Sequence, residues 1–208
     1  MPRLLFSSLT LLLLSACRDS VPRTAADSQA AHVAEVVAAG GTVDSILPIA
    51  EHLARFQRDV GALPDTLRGA SPTRDQLVDR WARAVAASDT TVLNTLLIDR
   101  AEFAVLYYPG SRMSLAPYEA PPELLWGQLL AASNEGIRAV LKNFGGQTLK
   151  VIAIRCPNPI VDEGRNRLHG ECLVTLQRGT DMPTEARLFG TILERDGRFK
   201  FVGYANAL

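Results

Sequence analysis

Residues 185–205 read EARLFGTILERDGRFKFVGYA, and this stretch decides the fold class. Asp196-Gly197 is a two-residue hairpin signal between segments rich in aromatic and β-branched residues. The predicted register is a set of opposite pairs: Glu194 with Phe199, Ile192 with Phe201, and Gly190 with Gly203. Facing glycines indicate a bend or the close approach of another element.

The predicted sheet continues upstream of this hairpin. Turn-rich intervals separate strand-like segments, and this arrangement is typical of an antiparallel meander. The predicted strands are 149–156, 168–177, 185–194 and 198–205. If Cys156 pairs with Cys172, the same register sets Ile154 against Val174 and Ile152 against Leu176. The period of two then places all these side chains on one face.

Helical patterns fill the middle of the chain. The spacing predicts a helix over 45–60, capped by Ser45 with Pro48 in its first turn, and then a loop over 61–70. Ser71-Pro72 is expected to start the next helix, which carries Trp81 and ends at Ser88-Asp89. A short helix over 91–97 follows, capped by Asp89 or Thr90.

Residues 102–108 end at Pro109-Gly110 and are rich in aromatic and β-branched residues, so we predict a strand there. On a strand Tyr107 and Tyr108 point to opposite faces. A further strand is expected within 112–118. Pro121-Pro122 then opens a helical region that carries Trp126 and ends at Gly145-Gly146, with 134–136 as a candidate break.

The order of these elements resembles that of a known fold. Three segments contribute to the resemblance: DQLVDRW at 75–81, AASDTTVL at 86–93 and FKFVGY at 199–204. Over residues 71–208 the chain is similar to the nuclear transport factor 2-like fold, also called the SnoaL-like or cystatin-like cone. The resemblance implies an α+β domain whose curved antiparallel sheet wraps against helices and encloses a pocket. In some relatives the pocket is catalytic, and in many it only binds or mediates dimerisation. No catalytic motif of the family matches here, and the helix over 45–60 departs from the pattern and would pack outside the cone.

The N-terminal residues indicate export. An apolar run over 4–14 follows Arg3 and is too short for a bilayer-spanning helix, which needs about 20 residues. It ends in Leu14-Ser15-Ala16-Cys17, which resembles the lipobox of bacterial lipoprotein precursors. The resemblance implies cleavage before Cys17 and acylation of its sulfur, as with palmitate. The alternative is an ordinary secretory signal with an incidental cysteine.

The domain organisation follows from these features. We expect a signal peptide over 1–16, a lipidated tether over 17–41, an extra helix and loop over 42–70, and the α+β domain over 71–208. The protein would then lie in the cell envelope, on the periplasmic side of a membrane. Arg18 stands where an Asp would retain a lipoprotein, which favours the outer membrane in a host with two membranes.

Export also bears on the cysteines. Two remaining cysteines in an oxidising compartment normally form a bond, so Cys156 and Cys172 are predicted to form a structural disulfide. Free buried thiols are the alternative. A redox-active pair would require CxxC spacing, which is absent.

Charge and motifs exclude several classes of protein. Without residues 1–16, whose only charged side chain is Arg3, 21 Lys and Arg stand against 22 Asp and Glu. The sequence has no basic stripe with interleaved aromatic residues, which is the pattern that would favour nucleic acid as a partner. No HExxH, GxSxG, P-loop or dinucleotide fingerprint is present, so we predict neither a metal nor a cofactor.

A few residues are candidates for lining a pocket. They are Tyr107, Tyr108, Trp126 and His169, although core packing also explains the aromatic ones. His169 and Glu171 share a strand face at i, i+2 spacing, but two ligands are too few for a metal site. We assign no catalytic residue.

These features favour a membrane-anchored envelope lipoprotein whose α+β domain binds an envelope protein or a small apolar ligand without catalysis. An isomerase, dehydratase or hydrolase with a pocket in the cone is the alternative, and a purely structural envelope protein is a third hypothesis. A cavity with convergent polar groups would favour chemistry or ligand binding, whereas a cavity filled by its own aromatics would not.

Overall fold

The computed structural model describes residues 25–41 and 47–208. The chain divides into two compact units, Met1–Ile46 and Leu47–Leu208. In the first unit the described element is helix α1, Ala25–Ala38, within the predicted tether. The predicted signal peptide, Cys17 and Ser45 lie outside the described residues. Within the described ranges no helix has the length and apolarity needed to cross a membrane.

The second unit is α+β, as predicted. Its helices are α2 Ile49–Arg58, α3 Arg74–Ala86, α4 Thr90–Leu96, α5 Arg100–Glu102 and α6 Pro122–Phe144. A π-helical turn, Phe103–Tyr107, continues directly from α5, and 3₁₀ turns follow at Tyr108–Gly110 and Arg112–Ser114.

The strands form two antiparallel sheets. They are β1 Leu149–Arg155, β2 Val161–Glu163, β3 Asn166–His169, β4 Leu173–Arg178, β5 Thr184–Ala186, β6 Ile192–Arg195 and β7 Arg198–Phe201. One sheet has the order β1-β4-β5 and the other β2-β3-β6-β7. The single four-stranded meander is therefore wrong. The predicted strands 168–177 and 185–194 are each interrupted, and at each interruption the chain passes from one sheet to the other.

The hairpin register is confirmed. Glu194 pairs with Phe199 and Ile192 with Phe201. The Gly190 amide donates to the Gly203 carbonyl at 3.0 Å, which is the close approach that facing glycines indicate.

The predicted register of β1 against β4 is half right. Ile154 pairs with Val174, but Val151 takes the place expected for Ile152 opposite Leu176. The cause is an irregularity between Val151 and Ala153, which takes Ile152 off the common face and leaves it 47% exposed.

Two helix starts also differ from the prediction. Helix α2 begins at Ile49, with Pro48 just before it rather than in its first turn. Helix α3 begins at Arg74 and is capped by Thr73, whose Oγ1 accepts from the Gln76 amide at 3.1 Å. Ser71 instead forms a β-bridge with Phe199 of β7.

The strand predicted over 102–108 is wrong, because this segment is helical. Asp99 and Glu102 form a capping box, in which each side chain accepts from the other residue's backbone amide, and this starts a helix before the apolar run. The strand expected within 112–118 is also absent from the described structure, since Ser111 caps a 3₁₀ turn there. Helix α6 is continuous through the proposed break at 134–136.

The core of the second unit has two parts. In one, Trp81 of α3 is fully buried and meets Phe189 edge to face at 5.5 Å between ring centroids. In the other, Phe103 lies 5.8 Å from Phe56 of α2 and 5.2 Å from Trp126 of α6. Phe56 is 1% exposed, so α2 shares this core within the compact unit Leu47–Leu208.

Candidate functional site

An open pocket of about 290 Å³ lies between the helical turns that follow α5 and the β2–β3 hairpin. Tyr107, Ser111 and Arg112 line it from the turns, and Val161, Glu163 and Leu168 line it from the hairpin. Its volume is near the lower end of the range for small-molecule pockets, roughly 300–1,000 Å³. We call it the Glu163 pocket.

Polar contacts hold the π-helical turn that carries Tyr107. A π turn breaks the regular hydrogen-bond pattern of a helix, and such turns occur often at functional sites. Here the Leu106 carbonyl accepts from Asn166 Nδ2 at 2.8 Å and from Arg195 Nη1 at 3.2 Å. Arg195 Nη1 also donates to Asn166 Oδ1 at 2.8 Å. Side chains from β3 and β6 therefore fix the wall on which Tyr107 sits.

The hairpin and the turns approach each other at a glycine. A Cβ atom at Gly110 would lie 2.9 Å from the Glu163 carbonyl oxygen, closer than side chains normally come. Only glycine at this position lets the 3₁₀ turn pack directly on the end of β2, which brings Arg112 to Glu163.

Glu163 is the most unusual side chain of the pocket. It is 7% exposed, and its Oε1 accepts from the Arg112 amide and from Arg112 Nε, each at 3.3 Å. Its Oε2 is buried and has no hydrogen-bond partner among the residues that the structure describes. A buried carboxylate oxygen without a donor is costly, and such groups in native proteins require an explanation.

Tyr107 has a perturbed phenol. Burial raises the pKa of Tyr107 to about 12, and the nearby Glu163 charge acts in the same direction, whereas Ser111 and Arg112 oppose it. The phenol is therefore neutral at physiological pH. The pocket thus combines a neutral phenol with a carboxylate that has one oxygen unpaired.

Three of the four residues predicted to line a pocket, Tyr107, Tyr108 and Trp126, meet around Phe103. Tyr107 lines the Glu163 pocket, but Tyr108 is fully buried and donates its hydroxyl to the Ala120 carbonyl at 2.7 Å. Trp126 packs on Phe103 in the core.

His169 lies in β3, and its Nε2 is 2.8 Å from Glu194 Oε2. The Glu163 pocket is lined by the neighbours of His169 in the chain, Leu168 and Gly170.

The pairing of His169 with Glu171 on one strand face is wrong. Glu171 follows β3 with a positive φ of 51°, and its Oε1 accepts from Arg187 Nη1 at 2.9 Å. The carboxylate beside His169 is Glu194, which also accepts from Arg167 across the sheet. Within residues 25–41 and 47–208, no group of three or more His, Cys, Asp or Glu could hold a metal ion.

The predicted cysteine pair meets at the end of β1. The Sγ atoms of Cys156 and Cys172 are 1.98 Å apart, the distance of a disulfide. Arg74 Nη1 lies 3.4 Å from Cys156 Sγ, and Cys172 is fully buried. The bridge joins the end of β1 to the start of β4.

Glu163, Arg112, Asn166 and Arg195 were not predicted from the sequence. The available signal was Gly164-Arg165, a two-residue turn with glycine at positive φ between the paired residues Glu163 and Asn166. The strand before it is only three residues long, too short for its pattern to stand out.

Together the fold and the site define an α+β domain with an open pocket of about 290 Å³ beside Glu163. Comparisons of the chain with protein-family models, curated proteins and solved structures found no match.

Proposed function

We propose that this chain is a lipid-anchored protein of the cell envelope whose α+β domain binds a small ligand in the Glu163 pocket without catalysis. The observation that carries the binding role is the Glu163 pocket itself, in which Glu163, Arg112 and Tyr107 lie beside the apolar side chains of Val161 and Leu168. A mostly apolar lining with a few polar groups is the usual composition of a small-ligand site.

The construction of the pocket also supports binding. Asn166 and Arg195 hold the π turn, and Gly110 allows the turn and the hairpin to touch. A wall fixed in advance loses little conformational freedom when a ligand enters, which favours affinity.

The resemblance to the nuclear transport factor 2-like cone belongs to this proposal. The order of the α3–α4 pair, the long helix α6 and the C-terminal antiparallel strands supports it. The helical segment where the resemblance implies a strand, and the division of the strands into two sheets, count against a regular cone.

The anchoring half of the proposal depends on Cys17. Cys17→Ser removes the sulfur that would carry the acyl chains, so we expect loss of lipid from the N-terminus and release of the protein from the membrane fraction. Intact-mass measurement and fractionation of cells check both. Ser15→Gly keeps a small side chain before the cleavage point and serves as the matched control, which should stay lipidated. Membrane retention of Cys17→Ser at the level of the control would contradict the proposal.

The binding half is tested by filling the pocket. Val161 lines it from the edge strand β2, whereas its exposed neighbour Ile160 does not. We expect Val161→Trp to abolish ligand-induced shifts of the Met113 and Leu168 methyl resonances in a fragment screen, and Ile160→Trp to leave them in place. Fragments that shift these resonances equally in both variants would contradict binding in the pocket.

An enzyme is the second candidate, and it is favoured by the pairing of a carboxylate with a neutral phenol. Glu163 could accept a proton while the Tyr107 hydroxyl donates a hydrogen bond to a developing oxyanion, as an isomerase, dehydratase or hydrolase requires. Turnover by the full chain that Glu163→Gln abolishes while ligand binding persists would establish this alternative.

A further inference from the structure

A second pocket, of about 430 Å³, lies between the 66–70 loop and the turn of the β6–β7 hairpin. Thr66 and Gly69 line it from the loop, and Arg195 and Arg198 line it from the hairpin. We call it the Arg198 pocket. Its volume falls within the range of small-molecule sites, roughly 300–1,000 Å³. It shares no lining residue with the Glu163 pocket, so it is a separate candidate site.

Positive charge is concentrated on the hairpin side of this pocket. Arg195 and Arg198 are directly paired in the register of β6 and β7, so their side chains emerge on the same face of the sheet. Like charges at opposite positions of neighbouring strands repel each other. This pair therefore weakens the hairpin, and an anion bound beside it would offset the repulsion.

The acidic residue of the lining does not neutralise this charge. Asp196 Oδ2 lies 2.8 Å from Arg165 Nη2 and 3.9 Å from Arg195 Nε, so Arg165 is its closer partner. Arg198 is exposed and forms no ion pair among the residues that the structure describes. Three guanidinium groups and one carboxylate leave a formal charge of +2 on these four side chains.

The charge of Arg195 is held at the pocket wall by uncharged partners. Its side chain is 10% exposed, and its Nη1 donates to the Leu106 carbonyl and to Asn166 Oδ1. Burial lowers the pKa of Arg195, and the Arg165 charge acts in the same direction, while Asp196 opposes both. An anion in the pocket would stabilise the charged form of Arg195, and a positive charge fixed in a pocket wall attracts anions.

The surplus charge and the type of donor favour phosphate as the anion. A phosphate monoester carries a charge of about −1.5 to −2 at pH 7, which matches the surplus more closely than the single charge of a carboxylate. Its oxygens also match the fork of N–H donors on a guanidinium. The volume of the pocket leaves room for an organic body beside the phosphate, against the exposed loop residues Thr66 and Gly69.

We propose that the Arg198 pocket binds a small phosphorylated molecule, whose phosphate oxygens accept hydrogen bonds from the exposed guanidinium of Arg198. Arg198 is the direct contact, and Arg195 acts through its charge from the wall. The inference goes beyond the proposed function, because it concerns another pocket and another class of ligand. A soluble phosphate monoester and the head group of a phospholipid share this chemistry.

The first test compares probes that share a three-carbon body and differ in charge. The full chain is titrated with glycerol 3-phosphate, glycerate and glycerol, and the backbone amide resonances of Thr66, Gly69 and Asp196 are followed by NMR. We expect glycerol 3-phosphate to bind at least about tenfold more tightly than glycerate, and glycerol to cause no shift. Its affinity should fall as salt is added, because salt screens the attraction.

The second test removes the direct contact. Arg198→Gln deletes the charge and leaves Arg195 in place, and the variant should fold because Arg198 is exposed. We expect it to bind glycerol 3-phosphate at least about tenfold more weakly. Arg138→Gln is the matched control, since Arg138 is exposed on α6 and does not line the pocket. This control should bind as the unsubstituted chain does.

A third probe distinguishes the two sources of phosphate. Dibutanoyl phosphatidic acid is a soluble lipid with the same phosphate monoester as glycerol 3-phosphate. Tighter binding of the lipid would support the pocket as a head-group site, and equal or weaker binding would support it as a site for a soluble ligand.

Three results would overturn the inference. They are glycerate binding as tightly as glycerol 3-phosphate, unchanged affinity in Arg198→Gln, and the absence of amide shifts with every probe. None of them bears on the Glu163 pocket, whose test depends on Val161→Trp and on the Met113 and Leu168 methyl resonances. Failure of this inference and failure of the proposed function are therefore measured separately.

Discussion

Lys200→Met is expected to lower the free energy of unfolding by about 3–5 kcal/mol, because it leaves a buried carboxylate without its cation. Lys200 Nζ lies 2.7 Å from Glu102 Oε2, and the two side chains are 3% and 0% exposed. Lys200 Nζ also donates to the Arg68 carbonyl at 3.0 Å. Methionine has a similar length but no donor, so the change removes the charge while keeping most of the volume.

Glu102 accepts further hydrogen bonds besides the one from Lys200, so the two partners differ in how many contacts depend on them. Its Oε2 also accepts from the Asp99 amide at 2.9 Å, and its Oε1 accepts from the Arg68 amide. The carboxylate therefore stabilises the first turn of α5 and holds the loop that precedes α3 in place. We expect the double variant Lys200→Met with Glu102→Gln to lose less stability than the sum of the single changes, because the unpaired charge is gone.

Denaturant unfolding of the full chain, followed by circular dichroism, measures both effects. Arg198→Met is the matched control, since Arg198 is exposed on the same strand, and its change should stay within about 0.5 kcal/mol. A loss below about 1 kcal/mol for Lys200→Met would contradict a buried, charged pair.

Gly136→Ala should destabilise the protein, although alanine favours a helix by up to about 1 kcal/mol over glycine. A Cβ atom at Gly136 of α6 would lie 1.9 Å from the Tyr204 carbonyl oxygen. The Tyr204 amide donates to Ser133 Oγ at 3.0 Å, and Asn206 Nδ2 donates to the Gly136 carbonyl at 2.8 Å. The C-terminal segment cannot move away without breaking these bonds, so we expect a loss near or above the usual overpacking cost of about 1–3 kcal/mol.

The same helix provides the control. A Cβ atom at Gly127 would meet nothing within 4 Å, so Gly127→Ala should raise stability by about 0.5–1 kcal/mol. The two glycine-to-alanine changes should therefore shift the melting temperature of the full chain in opposite directions. Equal shifts would show that α6 does not contact the C-terminal segment in this way.

Local sequence signals predicted part of the fold. Asp196-Gly197 fixes both the turn and the register of the last hairpin, because a two-residue loop leaves one alignment of the strands. The strand predicted over 102–108 was wrong because an apolar aromatic run has no period that separates a buried helix from a strand. The Asp99–Glu102 capping box was visible upstream as the deciding signal, and it would have predicted the helix.

The candidate site was harder to predict. Tyr107 was predicted to line a pocket because a hydroxyl in an apolar cavity can orient a ligand. Its position in the π turn places it at the pocket wall. Glu163 could not be found in the same way, because its importance depends on Arg112, which lies 51 positions earlier in the chain. The division into two sheets depends on the interruptions around Glu171 and residues 187–191, where no proline marks a break.

The Cys156–Cys172 bridge spans a sequence separation of 16, and the chain between its ends carries β2, β3 and the hairpin wall of the pocket. Val161, Glu163 and Leu168 therefore belong to a covalent ring rather than to an ordinary loop. Such a ring holds its ends together even when the surrounding sheet frays, so the hairpin wall cannot drift far from the rest of the domain. One cross-link thus keeps the β2–β3 hairpin next to the ends of β1 and β4 through partial unfolding.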